Sequence, residues 1–250
     1  MAGVSRLQYS SEIRLIRVMC SGRVDLEFIL RSFLNGMDGV FLGACHLGEC
    51  NYITHGNYSA LNTVLLAKKI LAQIGIDPSR LTIEFMSSGE GNRFAELVDR
   101  FTKNLRELGP LGLPEEMSPE EMLEKLTQVM KLVPYIKIAL RDKLASRFAN
   151  EAEYQNLFSD EEVHQLLYEP TSYYIDPVKC RACGTCLRRC PVGAIEGAKK
   201  TIHVIDQDIC IKCGTCLEVC PAKFSAVTKL ANQPVPPAIP AGQRLMAEAG

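Results

Sequence analysis

The chain has 250 residues, with 28 Lys and Arg against 29 Asp and Glu and a formal net charge of −1. Hydrophobic residues at 47% and charged residues at 23% describe a folded chain with a real core and exclude wholesale disorder. Balanced charge gives no electrostatic reason to expect nucleic acid or an anionic membrane as partner, and the absence of Trp leaves little on which single-stranded bases could stack.

Three strand–helix pairs are expected between residue 13 and about residue 110. Ile13–Cys20 is a β-rich run, and Asp25 can cap a helix through Leu26, Ile29, Leu30, Phe33 and Leu34 that Gly36 ends. Gly39–Cys45 reads as the second strand, followed by a helix from Asn57 through Leu61, Val64, Leu65 and Leu71 to Gly75. Leu81–Met86 reads as the third, followed by a helix from Asn92 through Leu97, Val98, Phe101, Leu105 and Leu108 to Gly109-Pro110. Alternation of this kind predicts a small parallel-sheet α/β domain of flavodoxin or Rossmann-like type over residues 1–113.

Residues 114–168 read as a helical connector. Ser118 followed by Pro119 is a helix start, Met122, Leu123, Leu126, Val129, Met130 and Val133 form an apolar face, and Pro134 is expected to kink or end the helix. A shorter helix through Leu140, Leu144 and Phe148 would follow. The apolar face suits packing on the preceding domain or docking of another protein of a complex.

Residues 169–230 contain a repeat. Cys180-x-x-Cys183-Gly-Thr-Cys186-x-x-x-Cys190-Pro191 recurs 30 residues later as Cys210-x-x-Cys213-Gly-Thr-Cys216-x-x-x-Cys220-Pro221. Acidic turns at Asp176 and Asp206 precede the two copies, and the Pro-rich tail at 231–250 reads as extended. This is the ligand run of a bacterial-type ferredoxin, an α+β fold in which three cysteines hold one [4Fe–4S] cluster and the fourth reaches to the other. The spacing predicts Cys180, Cys183, Cys186 and Cys220 around one cluster and Cys210, Cys213, Cys216 and Cys190 around the other. Gly184 and Gly214 would let the backbone approach the inorganic core. Zinc is the competing reading, but paired Cys-x-x-Cys knuckles would leave four thiolates without a role. Eight Lys and Arg face five Asp and Glu between Asp176 and Phe224, a basic balance that the negative charge of thiolate-bound clusters would offset.

Eight of the eleven cysteines lie in the repeat, and the others are Cys20, Cys45 and Cys50. No apolar leader follows Met1 and no stretch approaches about 18 consecutive apolar residues, so a cytoplasmic, reducing location without a membrane span is expected. In such a compartment closely spaced cysteines serve as metal ligands more than as disulfides. Cys20 and Cys45 fall at the carboxyl ends of expected strands and Cys50 in the next loop, where open parallel sheets build their sites. Three thiols there suit a cluster or redox site, or else buried small hydrophobes, with His46 and His55 as auxiliary ligands or solvated loop residues. The loop Ser87–Asn92 joins the same edge, but no G-x-G-x-x-G follows the first strand, which argues against a dinucleotide site.

Three segments now carry a family resemblance: Arg17-Val-Met-Cys-Ser-Gly-Arg-Val-Asp25, Gly43-Ala-Cys-His-Leu-Gly-Glu-Cys-Asn-Tyr52 and Ser88-Gly-Glu-Gly-Asn-Arg-Phe94. Over about residues 2–112 the chain resembles the delta subunit of methyl-viologen-reducing hydrogenase. The resemblance implies an α/β domain that holds a [2Fe–2S] cluster. It also implies electron transfer between a hydrogenase or formate dehydrogenase and the A-type subunit of heterodisulfide reductase, a flavin-based electron-bifurcating protein. Cys20, Cys45 and Cys50 correspond to family cysteines implicated in holding that cluster. The C-terminal part is similar to the two-cluster ferredoxin module of NADH-dehydrogenase and bifurcating-hydrogenase flavin subunits. Family members usually carry an earlier Cys-containing strand and loop, and three thiols fall short of the four that a cluster takes. An upstream extension is therefore expected, an upstream selenocysteine codon read as a stop being one route to the shorter chain, and the intact mass of the native protein tests it.

No general-base constellation, nucleophile triad or nucleotide loop is evident, so a non-catalytic electron relay of an oxidoreductase complex is expected. Its partners would be a flavoprotein like the A-type subunit of heterodisulfide reductase and a hydrogenase, formate dehydrogenase or NADH-oxidising module. The alternatives are a catalytic protein binding its own flavin or NAD, and a zinc-bearing interaction module.

Overall fold

The structure is a computed structural model that describes residues 6–52, 55–148, 151–231 and 233–245. Two compact units divide the chain, Met1–His164 and Gln165–Gly250.

In the first unit, helix α1 (Leu26–Leu34) starts where the Asp25 carboxylate accepts the Glu27 N–H at 3.0 Å. Leu26, Ile29, Leu30 and Phe33 are buried at the spacing of one helix face. Strand β1 (Val40–Ala44), helix α2 (Asn57–Gln73) and strand β2 (Leu81–Phe85) form a β–α–β unit. β1 and β2 pair in parallel, with Val40 opposite Leu81 and Ala44 opposite Phe85. Val64, Leu66, Ala67, Ile70 and Leu71 of α2 are buried. Helix α3 (Gly91–Leu108) completes the arrangement.

The expected first strand does not form. Residues 13–20 join no ladder, and Leu15, Ile16, Val18 and Met19 are all exposed. β-Branched content favours an extended backbone, but a strand also needs an edge to pair with and one face to bury. Adjacent Leu15 and Ile16 are both outward, so neither face of this segment is covered. Among the described residues the parallel sheet therefore has two strands rather than three.

Helix α4 (Pro119–Ala139) begins as its sequence dictates, with the Ser118 hydroxyl accepting the Glu121 N–H at 3.1 Å and Pro119 in the first turn. It packs against α1 and runs on through Pro134, contrary to the expected break. Met122, Leu126, Val129, Val133 and Ile136 keep one face buried on both sides of the proline, while Pro134 itself is exposed, where water can reach a displaced carbonyl. Leu123, expected on the apolar face, points outward. Helix α5 (Arg141–Leu144) stops short of Phe148. Buried Asn62 of α2 donates its Nδ2 hydrogens toward the carbonyls of Lys143, Leu144 and Ser146, tying this turn to α2. Helices α6 (Glu151–Gln155) and α7 (Asp160–Tyr168) follow.

A buried ion pair joins three loops of this unit. Arg80, wholly buried, donates to both carboxylate oxygens of Glu115 and to the carbonyls of Asp38, Gly109 and Pro110. Burial alone would raise the Glu115 carboxyl, but the Arg80 hydrogen bond and the Gly112 N–H hold it below its ordinary value.

The second unit is built from strand β3 (Ser172–Ile175), helix α8 (Thr185–Arg189), strands β4 (Ile195–Glu196) and β5 (Val204–Ile205), helix α9 (Thr215–Glu218) and strand β6 (Val227–Leu230). β3, which leads into the first repeat, pairs antiparallel with β6, which leaves the second, while β4 pairs with β5 between them. Neither half could close its own sheet. The Pro-rich tail, expected to be extended, includes a 3-10 turn (Ala241–Gln243) and is docked: Ile202 donates to the Arg244 carbonyl, Thr201 bridges Leu245, and Arg244 pairs with Glu196 at 2.7 Å. No helix among the described residues is long and apolar enough to cross a membrane.

Candidate metal centres

Both copies of the repeat are folded by the same local rules. The carboxylates of Asp176 and Asp206 accept the N–H groups of Val178 and Asp208, each at 2.9 Å, closing Asx turns that aim the chain at the first cysteine. The carbonyls of the same aspartates accept the N–H groups of Cys180 and Cys210. Ala182 and Lys212, then Gly184 and Gly214, take positive φ, so each ligand loop curls twice in the left-handed sense before a short helix. The first three thiols of a copy thus line a concave turn. Gly214 is also tight, since a Cβ there would lie 2.8 Å from the Tyr173 hydroxyl.

The fourth cysteine of each copy leaves its own loop. Cys190 Sγ accepts the Ala194 N–H at 3.3 Å, and Cys220 Sγ accepts the Ala226 N–H at 3.4 Å, from four and six residues downstream respectively. Cys190 borders one apolar cavity together with Cys210, Cys213 and Cys216, walled by Tyr173, Ile195 and Ile205. In the other half, Cys180 and Cys186 are buried members of the unit's apolar core, with Cys220 packed against it and Cys183 exposed.

Burial and mutual crowding disfavour free thiolates among these cysteines. Burial, then the neighbouring Cys180 and Cys183, push the Cys186 thiol up to about 11. Burial, then Cys210, Cys213 and Cys186, push Cys216 up to about 12. Burial also raises Cys210, with Cys190 adding to the effect. Thiolates cannot crowd into this apolar space unless metal charge compensates them. Zinc would draw four sulfurs to one point, about 2.3 Å from the ion. Four thiols around a shared cavity fit a multinuclear cluster.

His203 is not marked by the cysteine motif, although the 30-residue offset places it at the position of Tyr173. It is 1% exposed, with its ring against Gly197 and its Nδ1 3.7 Å from Cys180 Sγ. Burial, followed by the charge of Arg188, lowers its pKa, so the ring is neutral. A proton on Nδ1 makes it a donor to Cys180, and Nε2 has no partner among the described residues.

The first unit gathers the other three cysteines. Cys20 precedes a 3-10 turn (Ser21–Arg23), Cys45 follows β1, and Cys50 lies in the loop before α2. Two glycines let these segments touch: a Cβ on Gly22 would collide with the His55 carbonyl, and one on Gly56 would collide with Cys50 Sγ. The Cys50 thiol is in hydrogen-bonding reach of both Cys45 and Cys20. Burial would raise Cys50, but the N–H groups of Asn57 and Tyr52 and the two neighbouring thiols outweigh it and lower its pKa. Burial, then Cys50, raises Cys45. Cys45 is exposed and the other two are half-buried, so these are not core hydrophobes.

Residues that the motifs do not mark hold this loop. Buried Asn57 donates to the carbonyls of Cys45 and His46, each at 2.8 Å. His46, read from the sequence as either an auxiliary ligand or a solvated loop residue, pairs through Nε2 with Glu90 at 2.6 Å. The Ser87 N–H and His46 together bring the Glu90 carboxyl down to about 2. His55 is exposed.

Comparison with known proteins agrees with both halves of this architecture. Residues 1–109 match the family described as methyl-viologen-reducing hydrogenase, delta subunit, and residues 172–221 match the 4Fe-4S dicluster domain. The D-type iron-sulfur subunit of the F420-non-reducing hydrogenase of Archaeoglobus profundus is 46% identical over 110 residues, covering 44% of this chain and 80% of that protein. Its counterpart named vhc in Methanococcus voltae is 42% identical over 114 residues, covering 46% and 78%. The A-type subunit of the ferredoxin/F(420)H(2)-dependent CoB-CoM heterodisulfide reductase of Methanosarcina acetivorans is 43% identical over 112 residues, 45% of this chain but only 14% of that much longer protein. With four-fifths of a relative covered at this identity, the chain belongs to the methyl-viologen-reducing hydrogenase delta-subunit family and carries a 4Fe-4S dicluster domain behind the family region.

Proposed function

We propose that this chain is an electron relay within a larger complex. Cys180, Cys183, Cys186 and Cys220 would hold one [4Fe–4S] cluster, and Cys210, Cys213, Cys216 and Cys190 a second. Cys20, Cys45 and Cys50 would supply ligands to a third centre of [2Fe–2S] type. The names of the relatives, hydrogenase iron-sulfur subunits and the A-type subunit of heterodisulfide reductase, support a place in an oxidoreductase complex, which we place in the reducing cytoplasm. There it would pass electrons between a hydrogenase, formate dehydrogenase or NADH-oxidising module and an electron-bifurcating flavoprotein of that A type. The residue ranges 1–113, 114–168, 169–230 and 231–250 divide this work into a family domain, a helical connector, a two-cluster domain and a tail.

Iron–sulfur clusters supply one-electron chemistry, and the chain supplies what sets it. Its thiolates would bind the iron, the N–H groups of Ala194, Ala226 and Lys212 donate to cysteine sulfurs, and His203 with its proton on Nδ1 would add a donor at Cys180. Apolar walls at Tyr173, Ile195 and Ile205 keep water from the second set.

The cavity that Cys190 shares with the three thiols of the other repeat carries this reading. Its test is anaerobic reconstitution of the full chain with Cys190→Ser. Iron and acid-labile sulfide should be present, and the electron paramagnetic resonance signal of the cluster on the Cys210 repeat should change while that on the Cys180 repeat persists. Zinc without sulfide, or a change confined to the Cys180 repeat, would overturn the assignment.

A further inference from the structure

The two repeats are alike in fold and unlike in charge. Around the first ligand loop stand Lys179, Arg181, Arg188 and Arg189, all exposed. Thirty residues on, the same positions hold Ile209, Ile211, Glu218 and Val219. At these four positions four positive charges become a single negative one, while Lys212 and Lys223 of the second copy stand where the first has Ala182 and Gly193. Lys179 leans on Asp176 at 3.5 Å, whereas Arg181, Arg188 and Arg189 make no ion pair among the described residues. Arg188 folds back over Gly184, its Nη1 2.8 Å from where a Cβ would lie. Cys183 is exposed, whereas Cys213, its counterpart, is half-buried.

Electrons leave or enter a protein-bound cluster most readily where a ligand comes to the surface, and unpaired charge around such a point selects what can approach it. We infer that the exposed ligand loop at Cys183, with Arg188 beside it and Arg181 and Arg189 on the same segment, is the docking face for an acidic electron-carrier protein. One electron passes per encounter between the chain and the carrier. The inference rests on the reading that the Cys180 repeat holds a cluster, and it adds which repeat meets a diffusing partner and what charge that partner bears.

The test is stopped-flow reoxidation of the reduced, fully loaded chain by three oxidants: an acidic ferredoxin, anionic hexacyanoferrate(III) and cationic hexaammineruthenium(III). In the unaltered protein the acidic ferredoxin should react about tenfold more slowly at high than at low ionic strength, with hexacyanoferrate following it and the ruthenium complex showing the opposite trend. Arg181→Glu with Arg188→Glu should slow the ferredoxin about tenfold at low salt, speed the ruthenium complex and leave iron content unchanged. The same charge change at Lys103 and Lys131, on α3 and α4, should have no such effect. Salt-independent rates in the unaltered protein, or a charge-reversed protein that keeps its clusters and its rates, would overturn the inference. So would retention on phosphatidylserine vesicles with unaltered carrier kinetics. Absence of iron and sulfide from the Cys180 repeat would instead remove the reading beneath it, and would show as an optical spectrum without clusters.

Discussion

Replacing His203 with Phe should lower the reduction potential of the cluster on the Cys180 repeat. The ring is 1% exposed and its Nδ1 stands 3.7 Å from Cys180 Sγ, so with the proton on Nδ1 the substitution removes an N–H donor from a sulfur ligand while keeping a ring against Gly197. A hydrogen bond to a charged acceptor contributes about 1.5–3 kcal/mol. Only the part that grows as the cluster gains an electron enters the potential, on the order of 1 kcal/mol. For a one-electron couple this is a fall of about 40 mV. The assay is potentiometric titration followed by electron paramagnetic resonance on the fully loaded chain. His203→Gln, which keeps a donor, should recover part of the fall. Tyr173→Phe, altered at the matching position of the other half, should leave this cluster alone. Stability separates the effect from simple damage, because Nε2 of His203 has no partner among the described residues and losing it removes a desolvation cost. An unchanged potential in His203→Phe with full iron content would refute the reasoning.

Glu115→Gln strips the countercharge from wholly buried Arg80 and should cost about 3–5 kcal/mol in urea denaturation of the first unit. Because the folded-state pKa of Glu115 is depressed, its contribution is complete above the ordinary carboxyl value near about 4.3 and is lost as pH falls through the lower folded value. The urea midpoint of the parent should therefore drop between pH 7 and pH 3, and that of Glu115→Gln should drop less. Gly56→Ala drives a methyl group into Cys50 Sγ and to 2.5 Å from the Tyr52 carbonyl. Overpacking of about 1–3 kcal/mol should displace the Cys50 loop, read as faster maleimide labelling of Cys50 and loss of iron from the first unit. Removing iron with an oxidant and a chelator should loosen Gln165–Gly250, where Cys180 and Cys186 are part of the core, and leave Met1–His164 folded, as limited proteolysis would show.

What the sequence by itself determined was local and periodic. Asp25 and Ser118 announce their helices because a side-chain oxygen followed by an apolar stripe is a complete instruction within a few residues. The cysteine repeat is legible for the same reason, since its turns depend on Asp176, Asp206, Gly184 and Gly214 beside the ligands. Even the departure of Cys190 from its own loop follows from spacing, because a helix after the third cysteine must carry the fourth away. Tertiary structure decided whatever needed a distant partner. Residues 13–20 have strand composition but no edge to pair with, and Pro134 is tolerated because a buried stripe holds α4 on both sides of it. His46 meets Glu90 rather than the thiols, and Asn57 reaches back to the Cys45 loop, choices invisible to spacing. His203 lies between these limits: the repeat marks it as the odd member of a matched pair, but only the fold places its nitrogen beside Cys180. Local conformation is written in neighbouring residues, whereas burial and charge pairing depend on segments that chain folding alone brings together.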